Sequence, residues 1–530
     1  MKPGIFWCLV GLSRTAANHC EVAQDAIAML GSNVASTRLV MRSVVLCFIA
    51  ILTARTRAQA QTVTSSVAYS TPDRGGIVLE TAGGNAPIVV GYARVEPSAS
   101  TTPAGLAIVD SRQNGALAAE AGIAGTSTLV SGRTYAEISG SVNTAIAFEN
   151  PNGSSVTISF SFTDQNGNNF GQRSFVLDGN QLAAKFLNEA PFSAPRFAGT
   201  FSFDATAPVA AVALRTFVNE RGEFLFIPQT IASIPDPFST GTVVMGHFVD
   251  GAGWKTRLNL VNTTDVQISG TVQFFGEGTP DTAAVPVNLN VNGQVAASFP
   301  YSIPGRASLK LETLGAVTAA IQLGSVRITP DSGTTAPSVS ALLSLSRNGI
   351  TVSQVILRTQ PAGLAFRTYV EVNSSAAIAG TIQSGIAITN NSVASTTVNF
   401  ELTSLDGTNT GLTAGLVVPG SGHVSKFVHE LFPTLSLPFR GILRVSSTTS
   451  IVVVSLRLRY NERGELLMTP VPVTNEGTPS TTAEIVFPIV VDRVGFTTQF
   501  VLFSGITGQR TAGTMEFFGP DGQPMNLTIR

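Results

Sequence analysis

Histidine, a common residue for acid–base chemistry and zinc binding, is rare in this chain. After residue 60 it occurs only as His247, His423 and His429. The stretch "HELFP" that starts at His429 begins like the H-E-x-x-H helix of zinc proteases, but Pro433 stands where the second histidine belongs. In a second copy of this stretch, Asn188 replaces the first histidine. We therefore predict no metal site and no metalloprotease activity.

The stretch "DQNGN" at 164–168 resembles the start of a calcium-binding loop. Such a loop needs glycine and glutamate at its sixth and twelfth positions, where this chain has Asn169 and Phe175. The Asn-Gly pair instead predicts a tight hairpin. The sequence contains no G-x-S-x-G elbow, phosphate-binding loop or dinucleotide fingerprint. We expect neither catalytic residues nor a cofactor, and a hydrolase with dispersed active-site residues is the third hypothesis for function.

Trp254 is the only tryptophan after residue 60, and it follows a turn near Asp250 in "VDGAGWKTRLNL". Carbohydrate-binding sandwiches stack sugar rings on exposed aromatic side chains. Trp254 and Asp250 are therefore the predicted ligand-binding residues. Packing in the core or at an edge is the alternative, because a related stretch near the C-terminus has Phe496 at this position.

The composition predicts a β-rich protein with frequent turns. Charged residues make up 12% of the 530 residues, and the chain has 50 glycines and 28 prolines. Such a chain turns often and forms strands between the turns. The formal net charge is −1, which argues against electrostatic capture of nucleic acid or an anionic membrane.

Residues 1–60 are predicted to be a leader, with a signal peptide at 41–60. Arg42 supplies a positive start, residues 44–52 are apolar, and an A-x-A cleavage pattern ends at Ala60. Either Met1 or Met41 could be the start. All the cysteines precede residue 60, so the mature chain is predicted to have no disulfide. It also lacks a stretch long enough to span a membrane. We expect a bacterial protein that is secreted, exposed at the cell surface or periplasmic.

Internal repeats divide the remaining chain into modules. "RTYAEI" at 133–138 matches "RTYVEV" at 367–372, and the pentapeptide "NERGE" occurs at 219–223 and again at 461–465. These matches define two copies of a module B. A second kind of module, A, lies between them, and its two parts recur near the two ends of the chain. The predicted segments are 62–132 (C-terminal part of A), 133–232 (B), 243–366 (A), 367–473 (B) and 485–530 (N-terminal part of A).

The modules are predicted to be β-sandwiches. Their apolar runs alternate with period two, and Asn-Gly or Asp-Gly pairs that suit tight hairpins separate the runs. Each module has about 120 residues and room for seven or eight strands, as in an immunoglobulin-like sandwich. The prediction is therefore an all-β fold of tandem immunoglobulin-like modules. A β-propeller, which also closes by joining its first and last strands, is the alternative.

The two partial A modules are divided at one position of the repeat: the first begins where the second ends. "TVTSSVAYS" at 62–70 matches "QVAASFPYS" at 294–302, and "PMNLTIR" at 524–530 matches "PVNLNVN" at 286–292. Together they complete one module that is cut at a hairpin tip. An incomplete sandwich exposes an apolar face and unpaired strand edges. The parts could pair within one chain, pair between chains as head-to-tail self-association, or reflect a truncated sequence.

Three motifs carry a resemblance to known proteins: "VDGAGWKTRLNLVN", "KFVHELFP" and "LRYNERGELL". With them, residues 62–530 resemble the tandem immunoglobulin-like repeats of secreted bacterial proteins. The resemblance implies sandwich modules that serve as spacers, adhesion surfaces or binding platforms, and it implies no catalytic residues. We expect an exported, non-enzymatic structural or adhesive protein. The alternative is a carbohydrate-binding module array, and the expected partners are an extracellular glycan or a surface protein.

Overall fold

The computed structural model describes residues 62–98, 100–236, 241–506 and 508–530, and the predicted leader and signal peptide lie outside them. The described elements are almost all β-strands, joined by one four-residue helix. This confirms the all-β, sandwich-like class. The described residues contain no helix that is long and apolar enough to cross a membrane.

The strands fall into five consecutive groups. The first group is β1 (Thr62–Thr64), β2 (Ser66–Thr71), β3 (Gly76–Glu80), β4 (Val89–Pro97), β5 (Ala104–Gln113) and β6 (Ala116–Ala124). The second is β7 (Leu129–Ile138), β8 (Val142–Glu149), β9 (Val156–Asp164), β10 (Asn169–Leu177), β11 (Leu182–Phe186), β12 (Phe197–Val218), β13 (Phe224–Gln229) and β14 (Ala232–Ser233).

The third group is β15 (Val243–Asp250), β16 (Trp254–Val261), β17 (Ile268–Phe275), β18 (Leu289–Val291), β19 (Gln294–Ala296), β20 (Ser298–Ile303), β21 (Ser308–Glu312), β22 (Gln322–Pro330), β23 (Ser338–Arg347) and β24 (Ile350–Arg358). The fourth is β25 (Gly363–Val372), β26 (Ile382–Asn390), β27 (Thr396–Ser404), β28 (Asn409–Val418), β29 (His423–Phe427), α1 (Val428–Leu431), β30 (Phe439–Tyr460), β31 (Leu466–Val471) and β32 (Val473–Asn475). The fifth is β33 (Ile485–Asp492), β34 (Phe496–Phe503), β35 (Thr511–Phe518) and β36 (Leu527–Ile529).

The first and fifth groups fold together into one sandwich, here called the split A module. Its two sheets have the strand orders β2-β35-β4-β33 and β3-β34-β5-β6, and β1 pairs with β36 at the side. Every sheet therefore mixes strands from both ends of the described chain. Phe500 and Phe517 are buried between the sheets, with ring centroids 5.6 Å apart. Of the three arrangements that the sequence left open, this structure has pairing within one chain.

The third group forms the intact A module, which repeats the split module strand for strand. Its sheets have the orders β20-β17-β22-β15 and β21-β16-β23-β24. Thr62 lies opposite Ile529 in the split module, as Gln294 lies opposite Val291 in the intact one. In the intact module the turn Asn292-Gly293, where both residues have positive φ, joins these strands. The split module has the same register without that connection.

The second and fourth groups form the first and second B copies. Each is organised around one strand of 22 residues, β12 or β30. The first half of β12 pairs with β7 and β9, and its second half pairs with β8 and β13. Residues 204–208, in the middle of β12, are more exposed than the halves on either side. One strand thus belongs to both sheets and fixes their relative position.

Two predicted module boundaries fall inside strands. The boundary between residues 132 and 133 lies within β7, and the one between 366 and 367 lies within β25. Both strands pair with the long strand of their own B copy. Each B copy therefore begins a few residues before the repeated motif that marks it in the sequence.

Four strands, one from each module, meet around the centre of the molecule. β6 contacts β13, β13 contacts β24, β24 contacts β31, and β31 contacts β6. We call them the four inner strands. Each pairs within its sheet with only one neighbour, and each begins directly after a tight turn. Such an arrangement resembles the centre of a propeller, although each module here is a sandwich of two facing sheets.

The two NERGE turns precede β13 and β31, and both have the same internal structure. Asn219 accepts hydrogen bonds on its side-chain oxygen from the backbone N–H groups of Arg221 and Glu223, at 3.0 and 2.9 Å. Asn461 does the same in the second copy. The glycine at the fourth position has φ of 76° in Gly222, a value that other residues rarely adopt. Asparagine and glycine at these positions are thus explained by the turn itself.

The charged residues of the two NERGE turns bind each other across the centre of the molecule. Arg221 of the first turn binds Glu465 of the second over 3.0 Å. Reciprocally, Arg463 of the second turn binds Glu223 of the first over 3.0 Å. Hydrogen bonds from both arginines and from Asn461 hold the pKa of Glu465 at about 2, although its burial acts to raise it. The two turns therefore form one ion-pair cluster, here called the NERGE cluster, in which Glu223 is buried and the two arginines are partly exposed.

Each NERGE turn also holds the neighbouring A module. The carboxylate of Glu220 accepts a hydrogen bond from the Thr351 N–H over 2.7 Å, and Glu462 accepts one from the Leu117 N–H over 2.8 Å. Thr351 and Leu117 lie near the starts of β24 and β6. The pentapeptide thus joins all four modules at one end of the inner strands, which explains its presence in both B copies.

Candidate functional site

Asp250 supports a loop of its own module. Its Oδ1 accepts a hydrogen bond from the Gly315 N–H over 2.8 Å, and the residue is buried. Asp492, at the corresponding position in the split A module, accepts one from the Gly83 N–H over 3.1 Å. Since the contact recurs in both copies, this oxygen has a role within the fold. The ligand-binding role of Asp250 stays a prediction.

Trp254 begins β16 and lines a cleft between the intact A module and the second B copy. The turn before it is tight, with positive φ at Gly251, Ala252 and Gly253. This turn leaves the indole half-buried at the edge of the sandwich. The cleft has a volume of about 360 Å³. Its apolar lining includes Trp254, Ile321, Leu323, Phe427, Leu456 and Met468.

The polar groups of this cleft are few. Lys426 and Glu430 are the charged residues of its lining, and both are exposed. Within the described residues the indole N–H of Trp254 makes no hydrogen bond. The cleft can therefore accept a flat apolar surface against the indole and offers one free N–H donor.

Two histidines meet at the inner side of the same cleft. His247 Nδ1 lies 3.0 Å from His423 Nε2, and the rings are stacked with centroids 5.0 Å apart. Burial lowers the pKa of His247 to about 4. Burial, followed by the neighbouring His247, lowers the pKa of His423 well below its ordinary value. The pair is thus neutral near pH 7, with one imidazole donating a hydrogen bond to the other.

The corresponding cleft between the split A module and the first B copy is lined by different side chains. It has a volume of about 230 Å³ and is lined by Ile489, Leu214 and Phe186 among others. Ile489 and Leu182 occupy the positions of the two histidines and belong to one apolar core. Phe496 occupies the position of Trp254 and packs against this core. Trp254 therefore lines the larger of the two related clefts.

The joint between the split A module and the second B copy contains a buried charge network that the sequence analysis missed. Arg457 binds Glu120 of the A module and Glu371 of its own module, the latter over 3.0 Å. Arg459 binds Asp110 over 2.8 Å. Burial and the adjacent Glu120 raise the pKa of Asp110 to about 7. The sequence signal that could have revealed this network is the spacing of Arg457 and Arg459, which puts both side chains on one face of a strand.

The remaining motifs form local structure. "DQNGN" is the predicted hairpin between β9 and β10, where Asp164 Oδ1 accepts hydrogen bonds from the N–H groups of Asn166 and Asn168, both 2.9 Å long. His429 lies in α1 and stacks on Phe427 with centroids 5.4 Å apart. Within the described residues, His, Cys, Asp and Glu form no group of three or more that could hold a metal ion.

Comparisons with known proteins give no family. No protein-family model matches the chain, and no curated protein matches it. Among solved structures, the PBSX exported protein XepA is similar over 38% of this chain and 83% of its own, with 10% identity and a TM-score of 0.13. A triple jelly roll structure of an archaeal virus covers 77% of this chain and 91% of its own, with 10% identity and a TM-score of 0.13. Scores this low support no conclusion about fold or function.

Proposed function

We propose that this protein is an exported structural or adhesive protein that acts as one rigid body and catalyses no reaction. The observation that carries the proposal is the closure of four modules around the inner strands. The closure depends on pairing between strands from opposite ends of the described chain, such as β1 with β36. A closed arrangement restricts the motions that a linear array of modules would have.

The use of charge supports the same proposal. The NERGE cluster and the network around Arg457 place ion pairs between modules. Buried pairs of this kind specify which surfaces meet, even where they add little net stability. The repeated motifs thus contribute to assembly, and a rigid surface displayed outside the cell is the function that such an assembly suits. An extracellular surface protein or glycan is the proposed partner.

An attachment assay tests this proposal. Beads coated with residues 61–530 are expected to remain attached to cell surfaces or extracellular matrix under flow. Beads coated with a chain that lacks residues 62–71 should detach, because the split A module is then incomplete. Failure of the intact chain to attach to any surface would contradict the adhesive role. Turnover of any member of a glycan and peptide panel would contradict the non-enzymatic one.

The second candidate is carbohydrate binding, and the exposed side of Trp254 in its cleft is the observation that favours it. Binding to a glycan array should be lost in Trp254→Ala, because the indole would be the stacking surface. Phe496→Ala is the matched control, since it truncates the aromatic residue at the corresponding position of the split A module. Equal binding by both variants and the unaltered chain would exclude Trp254 as the sugar platform.

A further inference from the structure

The inner strands enclose a cavity at the end opposite to the NERGE cluster. Its volume is about 400 Å³. The last residue of each inner strand lines it: Ala124, Gln229, Arg358 and Val471. All four modules therefore contribute to one site on the central axis. The volume is within the range of sites that bind small molecules.

The walls of this central cavity are mainly apolar. The apolar lining includes Ile123, Leu129, Ile231, Ile356, Pro470 and Pro472. None of the described residues that line it is acidic. The apolar part of an occupant would thus lie against aliphatic groups, with gain from the hydrophobic effect.

Arg358 is the one charged residue in this lining. The residue is exposed to solvent, and desolvation by the surrounding protein lowers the pKa of its guanidinium. Within the described part of the chain, the guanidinium makes no ion pair and no hydrogen bond to protein. By contrast, Arg457 and Arg221 each bind two carboxylates. A guanidinium that no carboxylate of the described residues neutralises is available to an anion that enters the cavity.

A second polar group without a partner lies in the same lining. Ser455 is 2% exposed, and its buried hydroxyl has no hydrogen-bond partner. Repeat symmetry places Ala124 at the position of Arg358 and Ala213 at the position of Ser455. Both groups therefore occur on the side formed by the intact A module and the second B copy. The other side of the cavity has only methyl groups at these positions.

We propose that the central cavity binds a small organic acid, with its carboxylate on Arg358 and its apolar body against the aliphatic walls. Arginine recognises a carboxylate through two parallel N–H···O bonds. The Ser455 hydroxyl lies in the same lining and supplies a further donor. This site is independent of surface attachment, so its failure would leave the structural proposal intact.

Calorimetry with octanoate tests the site, because this probe combines a carboxylate with an apolar chain. Octanoate is expected to bind the chain 61–530 and to raise its melting temperature. Acetate, which lacks the chain, and octanol, which lacks the charge, should each bind roughly tenfold more weakly or worse. Absence of octanoate binding, or equal binding of octanol, would overturn the proposal.

Variants locate the binding. Arg358→Gln is expected to weaken octanoate binding roughly tenfold or more, because a charge-assisted pair is lost. Arg173→Gln is the matched control, since Arg173 is exposed on β10 of the first B copy. The Arg358 variant should fold normally, because its side chain holds no other protein group. Unchanged octanoate affinity in Arg358→Gln would show that binding occurs elsewhere and would refute the site.

Discussion

Two joints between modules have the same backbone arrangement and differ in their side chains. One joins the split A module to the first B copy, and the other joins the intact A module to the second B copy. At one position the first joint has Ile489 and Leu182, and the second has His247 and His423. The strand pairs around them keep the same bulge, between Phe487 and Val490 in one module and at the equivalent place in the other. The two repeats thus share their backbone register. The interface at this joint can be packed with either an apolar pair or a neutral polar pair of side chains.

A second difference between these joints concerns one buried side chain. Thr389 of the second joint donates a hydrogen bond to the Gly246 carbonyl over 3.0 Å. At the corresponding position of the first joint, Glu149 is fully buried and neither carboxylate oxygen has a hydrogen-bond partner. Burial raises the pKa of Glu149 to about 8, against a smaller opposing effect of Arg94. The first joint therefore buries a carboxyl group without a hydrogen-bond partner where the second has a hydrogen-bonded threonine.

The largest expected effect comes from breaking the split A module. Deletion of residues 62–71 removes β1 and β2, so that β35 loses a neighbour and the apolar face that the buried Tyr69 covers opens. We expect a loss of more than about 5 kcal/mol in the free energy of unfolding, a large part of the stability of a typical domain. Urea denaturation followed by circular dichroism measures it.

The intact A module supplies the control for that deletion. A protease site inserted between Asn292 and Gly293, then cleaved, imitates the natural break of the split module. The cleaved chain should stay folded, because the split module has the same strand pairing without this turn. If cleavage unfolded the protein while the deletion did not, the equivalence of the two modules would be refuted.

A smaller loss in the free energy of unfolding is expected from Glu120→Ala. This variant compares the joint between the split A module and the second B copy with the joint between the intact A module and the first B copy. The variant leaves the guanidinium of Arg457 buried with one carboxylate fewer. Removal of one partner of a buried ion pair costs about 3–5 kcal/mol, measurable by urea denaturation. Gln354→Ala, at the corresponding position of the intact A module, is the control and should cost no more than about 1 kcal/mol. Equal effects would show that the two joints do not differ in this way.

Glu149→Gln should alter the pH dependence of stability. Because the pKa of Glu149 is raised from 4.5 to about 8, the folded state keeps a proton that the unfolded state releases between these values. Stability therefore falls as pH rises through this window. At pH 8 the variant should be more stable than the unaltered chain by about 2–4 kcal/mol. Identical slopes of stability against pH in both proteins would contradict the assignment.

The smallest effect is expected from exchanging the histidine pair for its apolar counterpart, in the double variant His247→Ile, His423→Leu. The folded-state pKa of His247 is lowered from 6.5 to about 4, so the stability present above pH 6.5 is lost as pH falls through this range. The unaltered chain should lose about 2 kcal/mol between pH 7 and pH 5 from His247 alone. Acid denaturation of the double variant should lack this loss. An unchanged acid transition would show that the pair does not titrate on unfolding.

Much of the fold could be predicted from the sequence because its signals are local or repeated. Alternation of apolar residues indicated the strands, Asn-Gly pairs indicated the hairpins, and repeat matches at 62–70 and 524–530 indicated where two strands could join. The pairing of NERGE turns across the centre could not be predicted. It depends on the angles between modules, which no local pattern encodes.

The candidate sites were less accessible to sequence reasoning. Trp254 was found because tryptophan is rare in the chain, and it does line a cleft. Arg358 was missed, because a single arginine at the end of an alternating strand usually faces solvent. His247 and His423 are 176 residues apart and share no motif. Only the packing of one module against another brings such groups together.

The pairing of β1 with β36 has a mechanical consequence. Thr62 and Ile529 are direct neighbours in an antiparallel pair, and Arg530 follows at the same end. Tension applied between Thr62 and Arg530 would load the hydrogen bonds between the strands one after another, which is the unzipping geometry, and would not shear them all at once. If the protein is tethered at Thr62 and Arg530 under flow, low forces would separate β1 from β36, and the NERGE cluster would bear the load only after that separation.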